Sequence, residues 1–367
     1  MNRFIISGGG TGGHIFPALA IANQLKKEVS DAEILFMGAN GKMEMVRVPD
    51  AGYSIVGLDV FGIRRDISWS GIKSNLKLPF VLLKTLRKAK QIIRQFKPDM
   101  VIGVGGYASG PALHAAQTLH IPTVIQEQNS YPGKTNRWLA KKVVKICVAY
   151  DGLERFFPKD KIVKTGNPVR EEIINFQPKL KEAYSFFDLD KHKKTILIIG
   201  GSQGAHTINS AVLSHIEDFK QTNCQLIWQT GELFYHSNKA QISELQSQNI
   251  KIFPFINRMD FAYSVADFII SRAGALAIAE LAIVGAPTIL IPLPTAAEDH
   301  QTANAQQLAN AGAAILLPDK EAEEKLYETL LVLMNDVNHS TEMSQRIKQF
   351  AQPEAIVKIV DNIFMSL

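Results

Sequence analysis

The chain has 367 residues, of which 46% are hydrophobic and 20% are charged, a composition typical of globular proteins. A chain of this length exceeds the size that one hydrophobic core supports, so we expect two domains. Its two cysteines exclude a disulfide framework, and neither lies near a second Cys or His at metal-ligand spacing. The first residues show no signal peptide and no apolar run reaches about 18 residues, which favours a soluble cytoplasmic protein.

The excess positive charge is concentrated in one segment. Between Gly62 and Lys97, ten Lys and Arg residues accompany a single acidic residue, giving a local charge of +9 in a chain whose total is +5. The rest of the chain is therefore slightly acidic. This distribution predicts an acidic partner for one local surface and argues against general nucleic-acid binding.

Short apolar runs typical of buried strands alternate with helical patterns along the chain. In the first half the runs are RFIIS, EILFMG, DMVIGVGG, PTVIQEQ and VVKICVAY. The pattern restarts with KTILIIGGSQG and continues through QLIWQTG, KIFPFI, DFIISRAG and PTILIPLP. Such alternation is typical of parallel sheets with right-handed crossovers, so we predict two doubly wound α/β domains over residues 1–165 and 166–345.

The first predicted strand runs directly into a glycine-rich turn and a helix, in the stretch SGGGTGGHIFPALAIANQL. Glycine permits positive φ and lets an anionic ligand approach the unpaired N–H groups at a helix start. Gly8, Gly10 and Gly13 formally match the dinucleotide pattern GxGxxG. The acidic residue at the required distance, Glu33, does not lie at the end of the second strand, so we disfavour a nicotinamide cofactor. A turn needed only for packing remains an alternative.

His14 lies in the first turn of the helix that follows these glycines. The positive end of the helix dipole disfavours an imidazolium there, and a neutral imidazole is able to act as a general base. A histidine that only caps the helix or makes a structural hydrogen bond is the alternative interpretation. The sequence thus makes His14 a candidate base at the edge of the first sheet.

A second junction of strand and helix occurs at SRAGALAIAEL, from Ser271 to Leu281. Glu280 in this helix is placed to accept two hydrogen bonds from a ribose diol while the helix start faces a diphosphate. Gln301 and Asn304 follow the next strand. Because the carboxyl ends of parallel strands share one sheet edge, these groups together predict a nucleotide-sugar site. Taken alone, Glu280 is equally consistent with a solvated helix face.

Seven blocks spread over nearly the whole chain carry a family resemblance: GGGTGGHIFPALAIA, GVGGYASGPALHAA, QEQNSYPGKTN, TGNPVR, GGSQGA, SRAGALAIAE and EDHQTANA. In this order and at these spacings they resemble the MurG family of β-N-acetylglucosaminyltransferases of peptidoglycan synthesis. The resemblance implies a GT-B fold, in which two doubly wound Rossmann-like domains face each other across a cleft. It also implies a C-terminal helix over residues 346–367 that packs back on the N-terminal domain.

The activity implied by the resemblance is transfer of GlcNAc from UDP-GlcNAc to the C4 hydroxyl of MurNAc in lipid I. The transfer would invert the anomeric centre and form lipid II. The triplet DLD, Asp188 to Asp190, resembles the metal-binding DxD of other glycosyltransferases but lies in a polar connector, so we interpret it as a solvated turn. We therefore expect no metal and no other cofactor.

The resemblance also assigns roles to residues within these blocks. The N-terminal domain is expected to hold the acceptor, with His14 as the base and Glu127 as a second catalytic candidate. Gln126 stands where the family often has a histidine, which leaves those two as the titratable candidates. The expected acceptor-pocket residues are Gly105, Gly106 and Tyr107. The expected donor contacts are Thr11, Gly12, Gly13, Asn129, Arg170, Ser202, Ile256, Gln301 and the helix residues Ala275, Leu276, Ala277, Ile278, Ala279 and Glu280.

A lipid-linked acceptor suggests a purpose for the basic segment. Helical spacing predicts one face toward the core, Leu82, Leu86, Ala89, Ile93 and Phe96, and one toward solvent, Lys84, Arg87, Lys88, Lys90 and Arg94. Before it, Lys73 and Lys77 are interleaved with Ile67, Trp69, Leu76, Leu78 and Phe80. Apolar side chains ringed by cations favour a surface that rests on anionic lipid, whereas an ordinary solvated helix is the alternative. We therefore expect a peripheral protein at the cytoplasmic face of the inner membrane, with a cell-wall synthesis complex as a further partner to consider.

Two other functions remain open at this level. Another GT-B transferase would share the donor site and accept a different lipid. A nucleotide-sugar binding protein would bind UDP-GlcNAc without turning it over. The presence of His14 beside the glycine-rich turn favours an enzyme over a binding protein.

Overall fold

Two parallel sheets, one in each of two units, organise the computed structural model of the chain. The model describes residues 2–60, 69–201 and 204–367, and the side chains of residues 69–79 and of Ala297 lie outside this description. The first unit comprises residues 1–168 and 354–367, and the second comprises residues 169–353. In each unit, separate apolar clusters cover the two faces of the sheet. The predicted parallel α/β class is confirmed for both halves.

The first unit contains, within its described residues, seven parallel strands in the order β3-β2-β1-β4-β5-β6-β7. The five apolar runs predicted as strands are β1, β2, β4, β5 and β6, whereas β3 and β7 were not predicted. The strands are β1 Arg3–Ser7, β2 Glu33–Ala39, β3 Ser54–Leu58, β4 Met100–Gly103, β5 Thr123–Glu127, β6 Lys145–Val148 and β7 Ile162–Lys164. The helices are α1 Gly12–Glu28, α2 Glu44–Asp50, α3 Trp69–Phe96, α4 Ser109–Thr118 and α5 Lys134–Leu139.

The register of the first sheet explains where a site can form. Ser7, the last residue of β1, pairs with Met37 of β2 and with Gly103 of β4. The strand order reverses between the neighbouring strands β1 and β4, and the loops that follow these two strands begin at the same edge of the sheet. In doubly wound sheets, ligands bind at the carboxyl edge beside this reversal. The turn after β1 and the turn after β4 therefore meet where the fold favours a ligand.

The second unit contains, within its described residues, six parallel strands in the order β10-β9-β8-β11-β12-β13, which reverses between β8 and β11. Of these, only the two-residue β13 was not predicted. The strands are β8 Lys194–Ile199, β9 Cys224–Gln229, β10 Ile250–Phe253, β11 Phe268–Ser271, β12 Thr288–Leu290 and β13 Ile315–Leu316. The helices are α6 Glu171–Ile174, α7 Lys181–Phe187, α8 His206–Ser214, α9 Ile216–Gln221, α10 Glu232–Ser237, α11 Lys239–Leu245, α12 Met259–Val265, α13 Ala275–Val284, α14 His300–Asn310, α15 Ala322–Asn335 and α16 Val337–Lys348.

The last helix, α17 (Ala355–Phe364), belongs to the first unit. Its residues Ile359 and Ile363, four apart on one helix face, are buried in the same cluster as Phe4 of β1. The Phe364 ring meets Phe4 edge-on, with ring centroids 6.2 Å apart. Residues 346–353, which we expected in this returning segment, lie in the second unit instead. The reason is that α16 extends to Lys348 and buries Ile347 in the core of that unit.

Helix α3 carries the described part of the basic segment. Ala89 and Ile93 are buried as predicted, but Leu82 is exposed, so the prediction that Leu82 faces the core is wrong. Lys88 is half-buried and donates a hydrogen bond to the Gly57 carbonyl at 2.8 Å. The predictions for Ile67 and for the side chains of Trp69, Lys73, Leu76, Lys77 and Leu78 lie outside the described residues. Within the description, no helix is both long and apolar enough to cross a bilayer.

Candidate active site

The glycine loop, Gly8 to Thr11, joins β1 to α1 and is shaped by groups of the protein itself. Gly9 and Gly10 have positive φ of 151° and 90°. A Cβ on Gly9 would collide with the carboxylate of Glu44, and a Cβ on Gly8 would collide with the side chain of Val104. The glycines are therefore required for close packing as well as for backbone conformation. From the sequence we expected positive φ and the approach of an anionic ligand, with packing as an alternative, and did not anticipate Glu44.

Glu44, at the start of α2, is the missed residue of this loop. Its side chain is almost fully buried, at 1% exposure. One carboxylate oxygen accepts a hydrogen bond from the Gly10 N–H at 2.9 Å, and the other accepts one from the Ala39 N–H at 2.9 Å. No local pattern in the sequence marks Glu44, because its partner Gly10 lies 34 residues earlier in the chain.

The turn after β4 interlocks with the glycine loop. Gly105 and Gly106 have φ of 93° and 83°, and a Cβ on Gly106 would collide with the Gly9 carbonyl. The Ser109 hydroxyl lies 2.6 Å from the Ser7 carbonyl oxygen and 2.9 Å from the Gly105 carbonyl oxygen. The two turns are thus held together at the reversal of the sheet, as the topology predicts. Tyr107, the third residue expected in the acceptor pocket, is exposed.

His14 lies in the first turn of α1, beside the turn that contains Gly105. Its ring contacts the Gly105 backbone so closely that a Cβ there would lie 2.7 Å from His14 Cδ2. His14 Nδ1 lies 3.3 Å from the Thr11 hydroxyl oxygen. If Nδ1 carries the proton and donates it to Thr11, Nε2 holds the lone pair that a base requires. The structure therefore brings Thr11, Gly12, Gly13, His14 and Gly105 together.

The carboxylate of Glu127, the second catalytic candidate, accepts hydrogen bonds from residues that follow it closely in the chain. The side chain is 2% exposed and accepts hydrogen bonds from the Asn129 N–H at 3.0 Å and from the Asn136 amide at 2.8 Å. The Asn129 amide and the Gly133 N–H donate two further bonds to it. Burial raises the pKa of Glu127, and these hydrogen bonds oppose the rise. We interpret Glu127 as the residue that orients Asn129 and the start of α5.

Gln126, the first residue of the QEQN block, lies in a buried amide network. Its side-chain N–H donates to Asn167 at 3.1 Å, and the Asn167 amide donates to the Gln128 carbonyl at 3.0 Å. The Gln128 amide in turn donates to the Val104 carbonyl at 2.8 Å and to the Gln126 side-chain oxygen. This network joins β5 to the turn after β4. Asn167 stands in the TGNPVR block, of which we had singled out only Arg170.

In the second unit, Gln229 at the end of β9 ties two expected donor loops together. Its side-chain N–H donates to the Gly201 carbonyl at 3.0 Å, and its side-chain oxygen accepts from the Ile256 N–H at 2.9 Å. Gly204 has a φ of 78°, and a Cβ there would collide with the Thr230 carbonyl. Ser202, predicted as a donor contact, lies outside the described residues. Gln229 was not predicted as a site residue, although it lies within the predicted strand QLIWQTG.

Glu280, the expected ribose ligand on α13, is paired inside the second unit. One carboxylate oxygen accepts hydrogen bonds from Arg170 Nε and Nη2 at 3.0 and 2.9 Å. The other oxygen accepts from the Tyr263 hydroxyl at 2.9 Å. Burial lowers the pKa of Arg170, but pairing with Glu280 outweighs that effect and raises it overall. Two predicted site residues are therefore brought into contact, and Tyr263 joins them as a partner that the sequence did not reveal.

A second ion pair of the second unit joins Arg272 to Asp319. Arg272, which follows β11, donates to the carbonyls of Ile291 and Pro292 at 3.1 and 3.2 Å and pairs with Asp319. Asp319 also accepts a hydrogen bond from Thr207 of α8 at 3.0 Å. Gln301 accepts one from the Leu293 N–H at 2.9 Å. Arg272 thus connects the segment after β12, which leads to Gln301, to Asp319. Asp319 in turn connects it to the start of α8.

Among the described residues, no group of three His, Cys, Asp or Glu side chains is placed to hold a metal ion. Asp188 of the DLD triplet pairs with Lys251 at 2.8 Å, which agrees with its interpretation as part of a surface turn.

Sequence profiles of known families match both units. The profile of the glycosyltransferase family 28 N-terminal domain matches residues 4–148, and that of the family 28 C-terminal domain matches residues 195–359. The chain belongs to glycosyltransferase family 28. Its two parallel-sheet domains give this family 28 protein the GT-B type of fold.

Relatives of this family 28 protein match it along almost its full length. Proteins of Parabacteroides distasonis and Flavobacterium psychrophilum are 50% and 51% identical to it over 361 residues. These alignments cover 98% of this chain and 97% and 96% of the two relatives. Both relatives are named UDP-N-acetylglucosamine--N-acetylmuramyl-(pentapeptide) pyrophosphoryl-undecaprenol N-acetylglucosamine transferase.

Solved structures also resemble this family 28 protein. The crystal structure of Acinetobacter baumannii MurG is 33% identical, with a TM-score of 0.75 and full coverage of both chains. The UDP-GlcNAc 2-epimerase of Neisseria meningitidis, solved with UDP-GlcNAc bound, is 17% identical with a TM-score of 0.67, and covers both chains fully. At that identity the epimerase supports the fold alone.

Proposed function

We propose that the chain transfers GlcNAc from UDP-GlcNAc to the C4 hydroxyl of MurNAc in undecaprenyl-diphospho-MurNAc-pentapeptide (lipid I), forming lipid II. The observation that carries this proposal is the near-full-length identity of about half to relatives named for this transfer. The arrangement of His14 beside two interlocked glycine turns is consistent with an acceptor hydroxyl held near a base.

In the proposed reaction, the acceptor O4 attacks the anomeric carbon of GlcNAc from the face opposite UDP. The new bond joins O4 to that carbon, the bond from that carbon to the diphosphate oxygen breaks, and the configuration inverts. His14 Nε2 takes the proton of the hydroxyl, and UDP leaves with the electron pair of the broken bond. Arg170, together with the N–H groups at the start of α13, would stabilise the negative charge that develops on UDP. For Glu280 to bind a ribose diol, it would exchange part of its bonding to Arg170 or Tyr263.

The proposal is tested by comparing UDP-GlcNAc, UDP-GalNAc and UDP-glucose, each radiolabelled in its sugar, as donors to a soluble lipid I analogue. We expect label transfer from UDP-GlcNAc alone, and a β-linked product by NMR. Diacylglycerol as acceptor should give none. Transfer to diacylglycerol in place of lipid I would point to a different lipid glycosyltransferase. UDP-GlcNAc binding without transfer to either acceptor would point to a binding protein.

We further propose that the first unit docks on an anionic membrane surface through α3 and α5. The Phe80 side chain is 78% exposed on α3, and Trp138 is 61% exposed on α5. Trp138 stacks on His114 of α4, with ring centroids 5.0 Å apart. Exposed aromatic rings beside cations such as Lys84 suit the interface of a bilayer, where each Lys or Arg contributes about 1 kcal/mol. A lipid-linked acceptor at the cytoplasmic face would require such docking.

The docking proposal is tested by replacing Lys73, Lys77 and Lys84 with Gln. The triple variant should bind vesicles containing phosphatidylglycerol more weakly, because it removes three charges from the surface. Its turnover of a soluble acceptor analogue should remain unchanged. A matched triple variant at Lys239, Lys320 and Lys325, in the second unit, should bind vesicles like the unaltered protein. Equal vesicle binding by both variants would contradict docking through α3.

A further inference from the structure

The glycine loop contains an anion that belongs to the protein. The two carboxylate oxygens of Glu44 accept hydrogen bonds from the N–H groups of Gly10 and Ala39, each with a nitrogen-to-oxygen distance of 2.9 Å. Two separate N–H donors match a carboxylate better than the acid, whose hydroxyl proton would itself need an acceptor. Gly9 and Gly38 both lack a Cβ where one would collide with the Glu44 side chain. Four backbone positions on two strand ends are thus shaped around this one carboxylate.

This carboxylate determines the conformation of the segment that carries the base. Gly10 immediately precedes Thr11, whose hydroxyl lies 3.3 Å from His14 Nδ1. The Gly9 carbonyl is also in contact with Gly106, in the turn that supports the His14 ring. Gly10 has a φ of 90°, and its hydrogen bond to Glu44 and this packing favour that conformation among the many that glycine can adopt. A shift of the loop would therefore move Thr11 and the His14 ring together.

The same carboxylate affects which ligands the loop accepts. Glycine loops at strand ends commonly bind phosphate through their N–H groups. Here the Gly10 N–H is already bonded, and a phosphate arriving at the loop would meet a buried negative charge. The N–H groups at the start of α1, on Gly12 and Gly13, lie beyond the Glu44 contact along the chain.

We propose that Glu44 is a positioning residue, which fixes the glycine loop so that Thr11 and His14 are correctly placed and keeps substrate phosphate away from Gly10. The part concerning His14 rests on the proposed function, whereas the hold on the loop does not. In this proposal Glu44 takes no part in proton transfer; it acts through its hydrogen bonds to the backbone of Gly10 and Ala39 and, toward phosphate, through its charge.

The test compares Glu44→Gln with Glu154→Gln, an exposed glutamate of the same unit. Glutamine has the same length but turns an N–H₂ group toward one of the two backbone N–H groups, so one bond is lost. Circular dichroism first verifies that the variant is folded at the assay temperature. Its kcat should then fall about 10- to 100-fold, as expected for a displaced reacting group. The KM for UDP-GlcNAc should change less than about twofold, because the expected donor loops lie largely in the second unit. Glu154→Gln should change neither. An unchanged kcat in Glu44→Gln would overturn the positioning role.

The effect on phosphate is measured separately as inhibition by inorganic pyrophosphate, at saturating UDP-GlcNAc and limiting acceptor. Glu44→Gln should be inhibited at several-fold lower pyrophosphate concentration than the unaltered protein, because the buried charge is removed. Equal inhibition of both proteins would overturn the proposal that Glu44 keeps phosphate away.

Amide hydrogen exchange separates this proposal from the proposed function. In Glu44→Gln, exchange at whichever of Gly10 and Ala39 loses its acceptor should accelerate at least about tenfold, while exchange in the second unit stays unchanged. This result is expected even if the unaltered protein transfers no GlcNAc, in which case only the proposed function fails. Unchanged exchange at both amides would show that Glu44 does not hold the loop.

Discussion

The bridge made by Gln229 offers a direct test of how the donor loops are held. We consider Gln229→Met, which keeps the length of the side chain and removes both hydrogen-bonding groups. The variant would release the Gly201 carbonyl and the Ile256 N–H, which now lie 3.0 and 2.9 Å from the glutamine amide. The first group is partly accessible to water, whereas Ile256 is buried. The two losses therefore differ in size.

The magnitude follows from these environments. Losing the bond to Gly201 costs about 1 kcal/mol, since water can replace it, and leaving the Ile256 N–H buried without an acceptor costs about 1–3 kcal/mol. We expect the free energy of unfolding, measured with urea, to fall by about 2–4 kcal/mol. Because the two untethered loops must be ordered again when nucleotide binds, the Kd for UDP should rise about tenfold, or about 1.4 kcal/mol. Isothermal titration calorimetry measures that change directly.

Gln225 provides the matched control on the same strand. Its buried amide also bridges two groups, accepting from the Asp190 N–H at 2.6 Å and donating to the Asp190 carbonyl at 2.8 Å. It lies at the opposite end of β9 from the expected donor loops. Gln225→Met should therefore lose comparable stability and bind UDP normally. The reasoning would be refuted by normal UDP binding in Gln229→Met, or by equal weakening in both variants.

Two further variants test other parts of the site. His14→Ala should retain its affinity for UDP-GlcNAc by calorimetry and lose at least about 100-fold in kcat, as expected when a general base is removed; a comparable loss of affinity would assign His14 to binding instead. Tyr263→Phe tests the buried contact with Glu280. Burial, and then the charge of Glu280, raise the pKa of Tyr263 well above its ordinary value. The folded state therefore keeps this hydroxyl protonated while the unfolded chain ionises from about pH 10, so stability is full below that pH and falls as the pH rises. Between about pH 9 and 11, the unfolding free energy of the variant should fall less steeply with pH than that of the unaltered protein. An identical pH dependence of the two unfolding free energies, each measured with urea, would contradict this account.

The glycine loop was predicted correctly as a turn that requires glycines, but the physical reason given for those glycines was incomplete. The turn after β1 does require glycines and does place His14 at the sheet edge. The carboxylate of Glu44 in α2 also shapes this turn, and the local pattern gave no sign of it. Similarly, Glu280 was predicted from its place in a helix, but its pairing with Arg170 joins residues 110 positions apart. Sequence patterns identified the positions and could not identify the partners.

The sequence by itself determined the parallel α/β class, ten of the thirteen described strands in chain order (all but the short β3, β7 and β13), and the junctions where glycines and His14 occur. These features depend on hydrophobic periodicity and turn chemistry, which are local and therefore readable along the chain. The missed strands are short or lie near a sheet edge, where burial and periodicity are weak. Only the tertiary structure decided the contacts of Glu44, Gln229 and Tyr263, and the exposure of Leu82. Each of these depends on which distant segment the folded sheets bring alongside, and a buried polar side chain must find its hydrogen-bond partner there, whatever the separation in sequence.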